Sequence, residues 1–336
     1  MKKLKKKLTT AARHYYLLVF LLQFVAFSWL FLAAKHQPAI WGLGLIAYTL
    51  GLRHAFDADH IAAIDNTVRK LVNQRHEAAG TGFFFSLGHS TVVFLLVIIV
   101  NCSMKLFKHH LPFLQDVGNR IGGLVSGSFL LLLAFANLVI LINLYQTAKK
   151  SAANSEMDPE LNQLLANRGF LTHFLMPLLN LVKKSWQMYP IGFLFGLGFD
   201  TATEIALLAI AASSNQTLIG WNNLVFPLMF AAGMNLMDTT DSIMITSAYR
   251  WAFSSPSRKV YYNLTVTLVS VIAAFLIGSI ELMQVAISFI KKGDLKFSWL
   301  ANLNLNQLGI GLTFCLLAIW FLTYLNWQHH NAKSSF

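Results

Sequence analysis

Four short polar clusters lie inside otherwise apolar stretches of this 336-residue chain. They read Arg-His-Ala-Phe-Asp-Ala-Asp-His-Ile at 53–61, Leu-Gly-His-Ser-Thr at 87–91, Asp-Thr-Ala-Thr-Glu at 200–204 and Asp-Thr-Thr-Asp-Ser at 238–242. They are rich in His and Asp and hold a single Arg. Imidazole and carboxylate together form a ligand set for a divalent first-row transition metal. Ionisable groups at membrane depth are expensive, so a chain keeps them mainly where they have a task. The combination points to a metal ion crossing a membrane. The candidate ligands are His54, Asp57, Asp59, His60, His89, Asp200, Glu204, Asp238 and Asp241.

Helix geometry constrains the first cluster. Each residue of an ideal α-helix turns 100° and rises 1.5 Å. His54 and Asp57 share a face, and Asp57 and His60 are neighbours three apart. His54 and His60 end up about 120° and roughly 9 Å apart. Two ligands about 2.1 Å from one ion cannot easily meet that way. Asp59 points away from Asp57. One ion bound by all four therefore requires the helix to unwind or bend, which is tolerated at membrane depth where backbone lines a polar cavity. The alternative is an Arg53–Asp57 ion pair at i, i+4 with bystander histidines.

The other clusters carry alternatives of their own. A lone membrane histidine such as His89 can be a helix-contact residue, and Ser90 and Thr91 can hydrogen-bond back to their own helix. Asp200 and Glu204 are four apart and share a face, as do Asp238 and Asp241 at three apart. Paired acids repel unless a proton or cation lies between them. Each pair could instead make a helix–helix hydrogen-bond contact. Met234, one turn before Asp238, reads first as packing. Gly192, Gly196 and Gly198 permit close helix approach before the cluster at 200–204. Glu281, in a long apolar stretch, has no assignment.

The elements that position these clusters follow from composition. The chain is 56% hydrophobic and only 12% charged, against about 25% charged in soluble domains. It reads as an all-α integral membrane protein. A transmembrane helix needs roughly 20 mostly apolar residues, which gives about eight candidate spans: 15–34, 40–64, 80–101, 121–144, 190–213, 224–248, 260–290 and 306–327. The first follows a basic start and is too long for a signal-peptide core, so it reads as a retained anchor. With the N-terminus in the cytoplasm, Lys and Arg number 18 in inside segments and 7 in outside segments. That bias places both termini inside. It also explains the net charge of +12 without nucleic acid as a partner. The chain divides into a four-span half at 1–144, a cytoplasmic connecting loop at 145–189 and a second four-span half at 190–336, together one membrane domain. Cys102 and Cys315 form no Cys-x-x-Cys site.

The four clusters resemble the nickel/cobalt transporter family, NiCoT. Its signature Arg-His-Ala-[Val/Phe]-Asp-Ala-Asp-His-Ile matches Arg53 to Ile61 without departure. Its second motif matches Gly88 to Val93, its third Leu197 to Glu204 and its fourth Gly233 to Asp241. The resemblance covers essentially the whole chain. It implies secondary-active, high-affinity uptake of Ni²⁺ or Co²⁺ across the bacterial cytoplasmic membrane, with the metal as substrate and no resident cofactor. It implies that His54, Asp57, Asp59 and His60 are required for transport, and that His89 and the later acids serve as pathway or binding residues. Efflux relatives tend to carry a His-rich cytoplasmic loop. The 145–189 loop holds only His173, which favours import over an efflux carrier of the same fold.

A membrane metalloenzyme is the rival class. The His-Glu-x-x-His protease helix is absent from the sequence, as is the histidine density of desaturases. No Gly-x4-Gly-Lys-[Ser/Thr] phosphate loop occurs, so the sequence demands no ATPase function or subunit. Oligomeric state and the choice between nickel and cobalt are not legible in it.

Overall fold

The computed structural model describes residues 2–35, 37–102, 104–153, 182–198, 207, 220–252, 256–289, 309–315 and 318. All regular structure among them is helical. The described part of the chain is all-α. Among the described residues the α-helices include, in order, α1 (Lys2–Ala33), α2 (Pro38–His54), α3 (Ala58–Asn73), α4 (Thr81–Cys102), α5 (Met104–Ala153), α6 (Met188–Phe195), α7 (Val225–Ala252) and α8 (Pro256–Ser288). Among the described residues, four stretches are long and apolar enough to cross a bilayer: Thr10–Ala33, Thr81–Ile99, Asp116–Val139 and Leu264–Ser288. The expected fifth and eighth spans fall mostly outside the described residues, as does most of the connecting loop.

Two expectations are revised. The stretch at 40–64 is two helices, because the chain turns at Ala55–Asp57, and the second runs on to Asn73. Arg69 and Lys70, expected in an inside loop, are therefore buried helix residues, 0% and 1% exposed. The inside excess of basic residues survives their removal. α5 continues past residue 144 to Ala153. No Gly or Pro interrupts residues 145–153, and Lys149, Lys150, Ala152 and Ala153 are all good helix formers. At 50 residues α5 is about 75 Å long, far more than a bilayer core of about 30 Å requires.

α7 is the hub of one half of the packing, touching α1, α2, α3 and α4. α3 is enclosed by α4, α5, α7 and α8. Two apolar clusters result. One joins α1, α2 and α7 through Leu30, Ile40, Ala47, Phe226 and Phe230. The other joins α3, α4, α5, α6 and α8 through Ile64, Leu71, Phe85, Leu130, Met188 and Ile277. Ala55 belongs to the first and Ala58 to the second. The turn between α2 and α3 thus carries the chain from one cluster to the other.

Glycine sets how near the helices come. A Cβ at Gly51 of α2 would overlap the Phe230 carbonyl of α7, and one at Gly233 would overlap the Tyr48 carbonyl of α2. Gly88 and Gly192 make the same reciprocal contact between α4 and α6, against the carbonyls of Tyr189 and Phe85. Helices in lipid associate by such close packing, since apolar burial alone gains little against acyl chains. The first contact lies one turn from His54, and the second lies beside His89.

Candidate metal site

The first cluster is split by the turn, and that split assembles the site. α2 ends at His54. Phe56 N–H donates to the Arg53 carbonyl at 3.0 Å, and Asp57 N–H to the His54 carbonyl at 2.9 Å, giving one tight turn. Asp57 then takes an extended conformation, φ −65° and ψ 142°, as the residue before α3. Asp is favoured there, and a second acid in the first turn complements the positive end of the helix dipole. That second acid is Asp59, whose Oδ1 accepts the His60 backbone N–H at 2.9 Å.

Breaking the helix removes the obstacle that ideal geometry set between His54 and His60. Their ring centroids are 4.7 Å apart. His89, from α4, lies 4.7 Å from His54 and 4.9 Å from His60. One ligand nitrogen from each of the three lies within 4.8 Å of the other two. All three rings are buried, at most 3% exposed. His54 Nε2 faces His89 Nε2 at 2.9 Å. This spacing suits an N–H···N hydrogen bond. It is also the spacing of two nitrogens at right angles on one ion, about 2.9 Å for bonds of about 2.05 Å, whereas tetrahedral angles need about 3.4 Å.

Carboxylates stand behind the rings. Asp57 Oδ2 lies 2.7 Å from His54 Nδ1, an ion-pair distance whose angle departs from that of a hydrogen bond. It leaves Nε2 directed at the other histidines. A carboxylate charge beside the far nitrogen raises the basicity of a ligand ring. Asp238 of α7 stands 3.5 Å from His60 Nδ1, through Oδ2, and is 1% exposed. Neither of its oxygens has a hydrogen-bond partner among the described residues. Asp241 is half-buried one turn further along α7. Arg53 is exposed, and the Asp57 carboxylate lies against His54 Nδ1, so the Arg53–Asp57 alternative finds no support. Asp200 and Glu204 lie outside the described residues.

An apolar wall closes the site. Phe85 stands edge-on to His60, centroids 4.8 Å apart and planes at 88°. Phe230 lies 5.5 Å from His54. Neither stands out in the sequence, although Phe85 precedes His89 by four residues and Phe230 precedes Asp238 by eight, both spacings of one helical stripe. Asn235 carries no signal in the sequence either. Its Nδ2 donates to Ser86 Oγ at 2.5 Å and to the Phe83 carbonyl at 3.0 Å, tying α7 to α4. Met234 is fully buried among apolar residues, as a packing residue should be. Thr91 bonds back to the Leu87 carbonyl at 2.8 Å. Ser90 does not, and its buried hydroxyl has no partner among the described residues.

Comparison with known proteins points the same way. Nickel transporter NixA of Staphylococcus aureus is 45% identical over 315 residues, covering 94% of this chain and 93% of that protein. High-affinity nickel-transport protein NixA of Helicobacter pylori strain J99 is 44% identical over 324 residues, 94% of this chain and 96% of that protein. Cobalt transport protein NhlF of Rhodococcus rhodochrous is 39% identical over 259 residues, 75% and 74% of the two chains. No solved structure matches. The family model described as high-affinity nickel-transport protein, NicO, matches residues 40–326, which takes in all four polar clusters. The chain is a member of the NicO family of high-affinity nickel-transport proteins.

Proposed function

We propose that this protein imports Ni²⁺, and Co²⁺ as a related substrate, across the bacterial cytoplasmic membrane as a secondary-active carrier. The observation that carries the reading is the convergence of His54, His60 and His89, buried between helices, from both sides of a helix turn and from α4. Three imidazoles with carboxylates behind them suit a borderline divalent ion. Relatives named for nickel and for cobalt support the same substrate pair.

In this reading eight spans cross the bilayer with both termini in the cytoplasm. The hydrated ion enters from outside and exchanges water for imidazole. Asp57 holds the His54 ring, and Asp238 and Asp241 balance the arriving charge. The acids Asp200 and Glu204 join the pathway, and Asp59 caps α3 so that His60 faces inward. Irving–Williams order favours Cu²⁺ at any such nitrogen site. Preference for nickel or cobalt therefore comes from the rigid ring geometry set by Phe85, Phe230 and the glycine contacts. The relatives are transporters by name, which weighs against the metalloenzyme class.

The test is time-dependent uptake of radiolabelled Ni²⁺ and Co²⁺ at nanomolar levels in expressing bacteria, with each metal competing against the other. The expected result is accumulation that His54→Ala abolishes. Depletion of metal from the cells would instead establish an efflux carrier. Well-inserted protein that does neither would contradict both.

A further inference from the structure

α3 is the anomaly of the fold. Every residue from His60 to Val72 is buried, and that stretch includes Asp65, Asn66, Thr67, Arg69 and Lys70. A helix with so much polar surface belongs beside water or a polar passage rather than in an apolar interior. Asn66 is accounted for by the Ala62 carbonyl and by Asn137 of α5. Asp65 and Arg69 are not explained by the metal site, since Arg69 lies nine residues beyond His60, about 13 Å along the helix.

Arg69 reaches in three directions. Its Nη2 pairs with Asp65 Oδ2 at 2.7 Å. The same nitrogen contacts Ser270 Oγ on α8. The guanidinium carbon lies 5.2 Å from the ring centre of Tyr249 on α7. Its Nε and Nη1 have no hydrogen-bond partner among the described residues, although the side chain is fully buried. α7 presents Asp238, Ser242, Thr246 and Tyr249 at helical spacings of four, four and three, on one face. All four are buried, and Thr246 Oγ1 also has no partner among the described residues. α3 and α7 run in the same direction, since His60 meets Asp238 and Arg69 meets Tyr249. A polar seam therefore leaves the three histidines and runs towards the loop at 74–80, on the side that the basic-residue bias places inside.

We propose that the α3–α7 seam is the inward half of the ion's path, with Asp65 as a transit ligand and Arg69 as the group that closes it. This rests on the import reading above. Arg69 neutralises Asp65 while the seam is shut. A divalent cation arriving from the histidines takes Asp65 in its place, and Ser270 and Tyr249 hold the displaced guanidinium. A cation cannot share a narrow buried seam with an arginine still in it, so displacement and passage are one event.

The alternative is that the ion pair only locks α3 in place, and a paired substitution separates the two. Uptake in cells and Ni²⁺ binding to purified protein are measured for the native chain, Asp65→Asn and the double variant Asp65→Asn/Arg69→Gln. The expected result is nickel binding within about threefold of native in both variants, with uptake lower by about tenfold or more in both. Removing both members of a buried pair spares the charge that single removal strands, so a purely structural pair predicts native uptake in the double variant. That outcome overturns the proposal. Should the variants fail to insert, Thr246→Cys in a Cys102→Ser/Cys315→Ser background keeps the native pair. A membrane-impermeant thiol reagent on the cytoplasmic face should label it about fivefold faster or more while Ni²⁺ is being transported. No acceleration overturns the proposal while leaving import intact. Absence of nickel uptake by the native chain overturns the import reading and the seam together.

Discussion

α1 and α3 are built on opposite plans. α1 turns its large apolar side chains outward, with Leu17 67%, Phe20 70% and Leu32 68% exposed, and its Gln23 inward to the Ala232 carbonyl at 2.8 Å. α3 buries almost everything it has, including Asp65, Arg69, Lys70 and His60 of the candidate metal site. In water the first plan would aggregate and the second would gain little. In lipid the outer solvent is apolar, so an apolar side chain needs no protein partner, while a polar one must find company inside. Polarity, rather than hydrophobicity, therefore marks the interior that does the work. The same contrast explains why the turn at Ala55–Asp57 is tolerated. It lies on the polar plan, where freed backbone faces protein rather than lipid.

Taking a ring out of the interior tests this contrast most severely. His60→Ala deletes one of three convergent imidazoles. Loss of a carboxylate that merely supports a ligand lowers metal affinity about 10–100-fold, so loss of the ligand itself should lower nickel uptake by about a hundredfold or more. The readout is the initial rate at nanomolar metal. A rate near native would mean that the buried polarity around α3 is not organised about an ion. Next in size is Asp57→Asn, which keeps the shape but removes the charge behind His54 Nδ1. The apparent KM should rise by about 10–100-fold, while the amount of inserted protein stays constant.

The smallest effect belongs to the other helix. Leu21→Ala on the lipid-facing side of α1, where Leu21 is 57% exposed, should leave uptake within about twofold of native. A large loss there would give α1 a task beyond packing and anchoring.

Much of the site is legible in the sequence because its chemistry is local. His54 and His60 cannot meet on an unbroken helix, so a shared ion requires a break there, and a turn is found at Ala55–Asp57. The partnership of His89 with them rests on a tertiary contact that no spacing encodes, and the family resemblance supplies it. Phe85 and Phe230 escape notice because an aromatic residue in an apolar span is the ordinary case. Only its helical register to a ligand sets it apart. Arg69 and Lys70 read as loop residues because charge after a hydrophobic run normally signals the membrane surface. Here four surrounding helices bury them instead. The extension of α5 beyond the bilayer is hidden for a related reason, since hydropathy measures the apolar core and not where a helix stops.

Whether three imidazoles hold the transported ion can be read from X-ray absorption at the nickel edge, on purified protein loaded with one equivalent of Ni²⁺. The expected first shell has three imidazole nitrogens at about 2.1 Å, recognisable by ring scattering, and falls to two in His89→Ala. A shell of oxygens alone, unchanged by His89→Ala, would contradict the three-histidine site.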